Sequence, residues 1–143
     1  MAPPTDAFFS ALHRDHLKPL GFRKVRHTFS RKRAGYTERF QFQGSAWNDS
    51  TGPWHFYINV GVEFEDLPPR KPSRDFPGTH AWARIDRLVA HAPTEFDLPA
   101  DRQDDYARLI AEYVRSAGEV LDSHIGGIRR AYDAQPSPLL TLP

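Results

Sequence analysis

The sequence predicts an α+β domain: an antiparallel meander sheet of three to four strands, with an N-terminal and a long C-terminal helix packed on one face. Three observations predict it. First, the even positions of 54–64 are all apolar (Trp54, Phe56, Ile58, Val60, Val62, Phe64), and the odd positions are His55, Tyr57, Asn59, Gly61 and Glu63. That period of two sorts the side chains onto the two faces of a half-buried strand. Second, Tyr106, Leu109, Ile110, Tyr113, Val114, Ala117, Val120, Leu121 and Ile125 recur at helical spacing, with Arg108, Glu112, Arg115, Glu119 and Asp122 opposite. Third, the connections between strand-like segments are short, as antiparallel neighbours allow.

The elements follow in order. Residues 5–18 read as a helix, with Thr5 or Asp6 able to cap its start. Phe8, Phe9, Leu12 and Leu17 form its apolar side; Pro19 stops it and Gly21 suits the reversal. Residues 22–31 read as one strand, with Val25, His27 and Phe29 on one face and Arg26, Thr28 and Ser30 on the other. After a turn at 32–35, Tyr36, Phe40 and Phe42 alternate with Thr37, Arg39, Gln41 and Gln43 in a second strand over 36–43. The turn-rich loop 44–53 leads into the central strand. Pro68, Pro69, Pro72 and Pro77 make 65–79 a long irregular loop. Residues 80–86 fit a fourth strand better than a short helix, and 87–100 carry no clear period. The last helix spans 102–125 and is expected to end or bend at Gly126-Gly127.

A chain of 143 residues is long enough to bury a real core. It reads as a single domain over 1–143, ordered over about 5–133, with a loosely held Pro-containing tail. The absence of cysteine excludes disulfides and thiolate metal sites and fits a reducing compartment. Neither a basic-then-apolar leader nor an apolar run of membrane-spanning length stands in the sequence. Nineteen Lys+Arg against eighteen Asp+Glu give a net charge of +1, which argues against a dedicated nucleic-acid binder.

Several constellations bear on chemistry. Arg23, Lys24, Arg26, Arg31, Lys32 and Arg33 make the first hairpin basic, which suits an anionic partner but also a solvated edge strand. His13 and His16 share a helix face, yet no third metal ligand is signalled. The triplet His13-Arg14-Asp15 has none of the accompanying kinase motifs. Glu63, Glu65 and Asp66 gather at a strand end with no base or nucleophile spaced beside them. No phosphate-binding glycine loop or nucleophile elbow occurs. The polar sheet face is the most informative surface. Arg39, Gln41 and Gln43 should lie beside His55, Tyr57 and Asn59, with Trp47 in the adjoining loop. These seven residues are the candidate partner-binding site; no catalytic residue, metal or cofactor is assigned.

The chain also resembles a known family. Gly21-Phe22 after a short helix, Phe29-x-Arg31, Phe40-Gln-Phe-Gln-Gly-Ser45 and Phe56-Tyr-Ile-Asn-Val-Gly61 resemble the bacterial "domain of unknown function 4304" family. Ala83-Arg-Ile-Asp86 stands where that family has an Arg-Ile-Gly-like segment, with Asp86 departing from it. The resemblance covers roughly 8–125. It implies an α+β fold and a bacterial cytoplasmic setting, brings no established catalytic residues, and, through members near polymorphic-toxin genes, implies immunity-type binding.

The leading expectation is therefore a non-enzymatic protein-binding module, in its sharpest form an immunity-type protein that occludes a bacterial toxin. Two alternatives stand beside it: a nucleic-acid-binding domain using the basic hairpin, and a small-ligand binder or enzyme using His55, Tyr57 and Glu63. No membrane partner is expected, and self-association stays open.

Overall fold

The structure, a computed structural model, describes residues 4–45, 48, 54–70, 76 and 78–142. Helix α1 (Pro4–Leu12) continues through a π turn (His13–Leu17) and a 3-10 turn (Lys18–Leu20). The helix starts before both expected caps, so Thr5 and Asp6 lie in its first turn, where the Asp6 charge suits the positive end of the dipole. Gly21, at φ 97°, closes the helix in the left-handed region, and Phe22 N–H returns to Leu17 O at 3.1 Å.

Among the described residues a six-stranded antiparallel sheet follows: β1 (Arg23–Val25), β2 (Thr28–Lys32), β3 (Tyr36–Gly44), β4 (His55–Phe64), β5 (Ala81–Arg84) and β6 (Phe96–Asp97). The order across it is β1-β2-β3-β4-β5, with β6 also on β4. Two sequence expectations need correction here, and one open stretch is filled. Residues 22–31 are not one strand: the chain reverses at Arg26-His27, pairing Val25 with Thr28, and Arg26 takes φ 55° to do so. Val25 is accordingly exposed while Phe29 is fully buried. The unassigned stretch 87–100 contributes β6. Of the expected end or bend at Gly126-Gly127, the end is corrected: helix α2 (Gln103–Ala134) runs through both glycines.

The α2 continuation has a tertiary cause. Two glycines cost a helix about 2 kcal/mol relative to alanine. Beyond them, Arg129 reaches back to Asp66 at 2.6 and 3.0 Å and lies 5.1 Å over the Phe64 ring. Tyr132 packs on Phe64 and His80. These contacts hold the last turns that intrinsic propensity would release.

Strand β4 is the middle of the molecule. It pairs along its length with β3 on one side, and with β5 and β6 on the other. Its even face (Phe56, Ile58, Val60, Val62, Phe64) is buried, with Ile58 at 1% and Val60 at 0% exposure. Both helices cover that face. Phe9 of α1 meets Phe29, Phe42 and Phe56, and Phe96 meets Tyr113 of α2. The segment after α2 is laid along β5: Trp82 N–H donates to Pro138 O, and Leu140 N–H to Trp82 O, both at 2.8 Å. No helix among the described residues is long and apolar enough to cross a membrane.

Candidate functional site

The face of the sheet turned away from the helices is in two parts. Gly61 divides them. A Cβ there would come within 2.5 Å of Phe76 and Thr79, so the bare glycine lets these two residues of the connecting segment lie directly on the sheet. Arg39 fastens the same segment. Its guanidinium donates to Gly78 O at 3.1 Å, Ser30 Oγ at 2.9 Å and Glu63 Oε1 at 2.8 Å. Arg39, placed by sequence in a binding array, thus has internal work at the border of the loop.

Beyond that border the face carries no helix, and a hydrogen-bonded array is built around Asn59. Asn59 is 2% exposed, and every side-chain atom able to bond does so. Its Nδ2 donates to Gln41 Oε1 at 2.8 Å and Gln43 Oε1 at 3.0 Å. Its Oδ1 accepts from Arg84 Nη1 at 2.6 Å. Arg84 also donates to Gln43 Oε1 at 3.2 Å and stacks 4.3 Å over the Tyr57 ring. His55 donates from Nδ1 to the Asp97 carboxylate. The sheet register places these groups together: Gln41 faces Asn59, Gln43 faces Tyr57, Asn59 faces Arg84 and His55 faces Asp97.

The bookkeeping of donors has a chemical consequence. Both glutamine oxygens are used on Asn59 and Arg84, so their amide N–H groups and the remaining Arg84 donors are what face outward. The surface offers donors, and it suits carbonyl or carboxylate acceptors.

Of the seven candidate residues, the structure gathers Gln41, Gln43, Tyr57 and Asn59 into this array. His55 sits at its edge and Arg39 at the loop border; Trp47 lies outside the described residues. Sequence reasoning missed Arg84 and Asp97. A signal existed for Arg84: if 80–86 is a strand, Trp82 and Arg84 share a face. Asp97 lay in a stretch without periodicity.

Other candidate sites have bonded explanations. His13 Nε2 donates to Phe22 O at 2.8 Å. His80 accepts from Phe64 N–H at Nδ1 and donates from Nε2 to Pro68 O, which fixes the orientation of the ring in the core. Glu63 pairs with Arg39, and Asp66 with Arg129, whose guanidinium holds the Asp66 carboxyl below its usual range. Among the described residues, no group of three His, Asp or Glu side chains is placed to hold a metal. Phe22, Phe29 and Tyr36, the rings interleaved with the basic hairpin, are buried and offer no stacking platform.

A second polar cluster lies in the core itself. Glu38 on β3 has no exposure and binds Arg31 at 2.6 Å and Arg33 at 3.2 Å. Arg31 also sits 4.5 Å over the Phe22 ring. Gly118 of α2 passes above; a Cβ there would stand 3.3 Å from Arg31 Nη2. This cluster joins the first hairpin to α2, with Glu38 itself sealed from solvent.

The whole is an α+β domain with helices on one sheet face and a partly covered polar array on the other. The family model described as Domain of unknown function (DUF4304) matches residues 13–111, and the chain belongs to that family. No curated protein and no solved structure matches it.

Proposed function

We propose that this domain is a non-enzymatic protein-binding module whose docking surface is the polar array around Asn59. One observation carries the reading: Gln41, Gln43, Asn59, Arg84 and Tyr57 hold one another in place on the helix-free face. Such an array is ordered before a partner arrives, so little side-chain freedom is lost on binding. Tyr57 and Arg84 are of the residue types that anchor interfaces. In its sharpest form the partner is a toxin domain, and the protein is an immunity-type protein of a bacterial cytoplasm. The outward N–H donors then meet carbonyl or carboxylate groups on the toxin.

The test is affinity capture from lysate of the native host, followed by measured binding of whatever is captured. Tyr57→Ala should weaken that partner by about 1–4 kcal/mol. Arg108→Ala, an exposed position on the far side of α2, should not. If the partner is a toxin encoded beside this gene, co-expression should protect the cell, and Tyr57→Ala should reduce protection. Equal capture by the parent, Tyr57→Ala and Gln43→Ala, all folded, removes this surface as the site.

A further inference from the structure

We propose that the outer edge of β1 is a separate docking edge, which takes an extended acidic segment of a protein partner as an added strand. Its residues are not those of the Asn59 array, and the proposal does not depend on that reading.

Three features coincide at this edge. The first is geometric. β1 ends the sheet order, and among the described residues its only strand partner is β2. Arg23 and Val25 turn their backbone groups to Ser30 and Thr28, and Phe22 is bonded to Leu17 O and His13, so Lys24 is the residue of β1 whose N–H and C=O face outward to meet an incoming strand.

The second is charge. Among the described residues, Arg23, Lys24, Arg26 and Lys32 make no ion pair, whereas Arg31 and Arg33 of the same hairpin are committed to Glu38. The register places Arg23 opposite Ser30, one pleat from Lys32, on the helix-free face. Lys24 and Arg26 flank the other side of the strand, beside Ser10 and Asp6. An extended chain lying along β1 would pass between cations on both of its faces. Alternating or flanking carboxylates would meet them.

The third is apolar exposure. Val25 is 69% exposed and Leu20 39%, two of the four large apolar side chains left open among the described residues. They line one groove of about 680 Å³ together with Arg23, Ser30 and Lys32. Charged side chains alone are an ordinary defence of an edge strand against aggregation. An open valine at the hairpin end of the edge works against that defence and is explained by a partner side chain that covers it. Arg26 adds to this: it holds a left-handed backbone that favours glycine or asparagine, which sets an arginine at the tip of the hairpin.

A nucleic acid would also answer the charge. It would leave Val25 and Leu20 uncovered, could not satisfy β1 with strand hydrogen bonds, and would find Phe22 and Phe29 buried. The observations favour the acidic polypeptide.

The experiment uses the full chain with isotope-labelled backbone and three probes: a short peptide alternating Glu and Val, the same peptide with Lys for Glu, and a single-stranded oligonucleotide. The Glu–Val peptide should bind and shift the Arg23, Lys24 and Val25 amides. Val25→Asp and Arg23→Glu should each weaken it about tenfold, the size of one interface anchor. Tyr57→Ala should leave that peptide's affinity unchanged, which separates this edge from the Asn59 array. Equal binding of the Lys–Val peptide, tighter binding of the oligonucleotide at the same amides, shifts confined to other strands, or no binding of the Glu–Val peptide would each overturn the proposal.

Discussion

Glu38 is the residue on which the first hairpin turns. It occupies an even position of β3, between Tyr36 and Phe40, and so faces the helices with them. A carboxylate without exposure is tolerable only if charged donors surround it, and Arg31 and Arg33 do. The same cluster explains other residues. Phe22 lies under Arg31, the Gly21 reversal places Phe22, and Gly118 leaves α2 thin where it crosses the pair. Alternation did place Phe40 and Phe42, but it has no rule for one acid on an apolar face, and Glu38 went unassigned. Arg84 is the parallel case on the other face: its strand was readable, its bond to Asn59 was not. Removing one partner of a buried pair leaves the others uncompensated, at about 3–5 kcal/mol. Arg31 and Arg33 keep 18% and 28% side-chain exposure, so water can relieve part of that. Glu38→Ala should cost about 2–3 kcal/mol by urea denaturation, with Glu38→Gln between it and the parent. A Glu38→Ala midpoint equal to the parent's would show that the cluster adds nothing to stability.

At the scale of elements, sequence reading succeeded where one pattern persisted and failed where tertiary contacts overrode local chemistry. The β4 alternation and the α2 period are long; β4 stands where it was expected, and α2 starts there. The reversal at Arg26-His27 carries no glycine or asparagine to announce it. Gly126-Gly127 does announce an end, and Arg129 and Tyr132 overrule it. The prolines predict an irregular loop over 65–79, of which 71–75 and 77 lie outside the described residues; where Phe76 and Thr79 rest was not legible. That depends on Gly61, whose missing side chain admits Phe76 and Thr79 to the sheet. Gly61→Ala should therefore act on the loop first. The added methyl would overlap Phe76, which is 4% exposed, and overpacking of this kind costs about 1–3 kcal/mol. Limited proteolysis should then cut within 65–80 faster than in the parent. Unchanged cleavage and unchanged stability would mean that the loop is not seated through Gly61.

At the scale of the molecule, the joints between sheet and helices include two phenols that resist ionisation. Tyr36 is 1% exposed and donates to Asp122 of α2 at 3.1 Å; burial first, then that bond, push its pKa well above the ordinary phenol value. Tyr106 of α2 is pushed up to about 12, first by burial and then by the Asp97 charge. In the unfolded chain both lose their protons near 10. Between about 10 and 12, then, the folded protein holds more protons than the unfolded chain, and stability falls as pH rises. Below the unfolded value the contribution is fully present; above the folded one it is gone. Urea midpoints measured from about pH 8 upward should stay level at first and then decline through that alkaline window. Tyr106→Phe removes one ionising group and should make the decline shallower. Tyr36→Phe should do the same while costing about 1 kcal/mol at neutral pH through the lost bond to Asp122. A double variant that declines as steeply as the parent would place the alkaline weakness elsewhere than at these two sheet–helix joints.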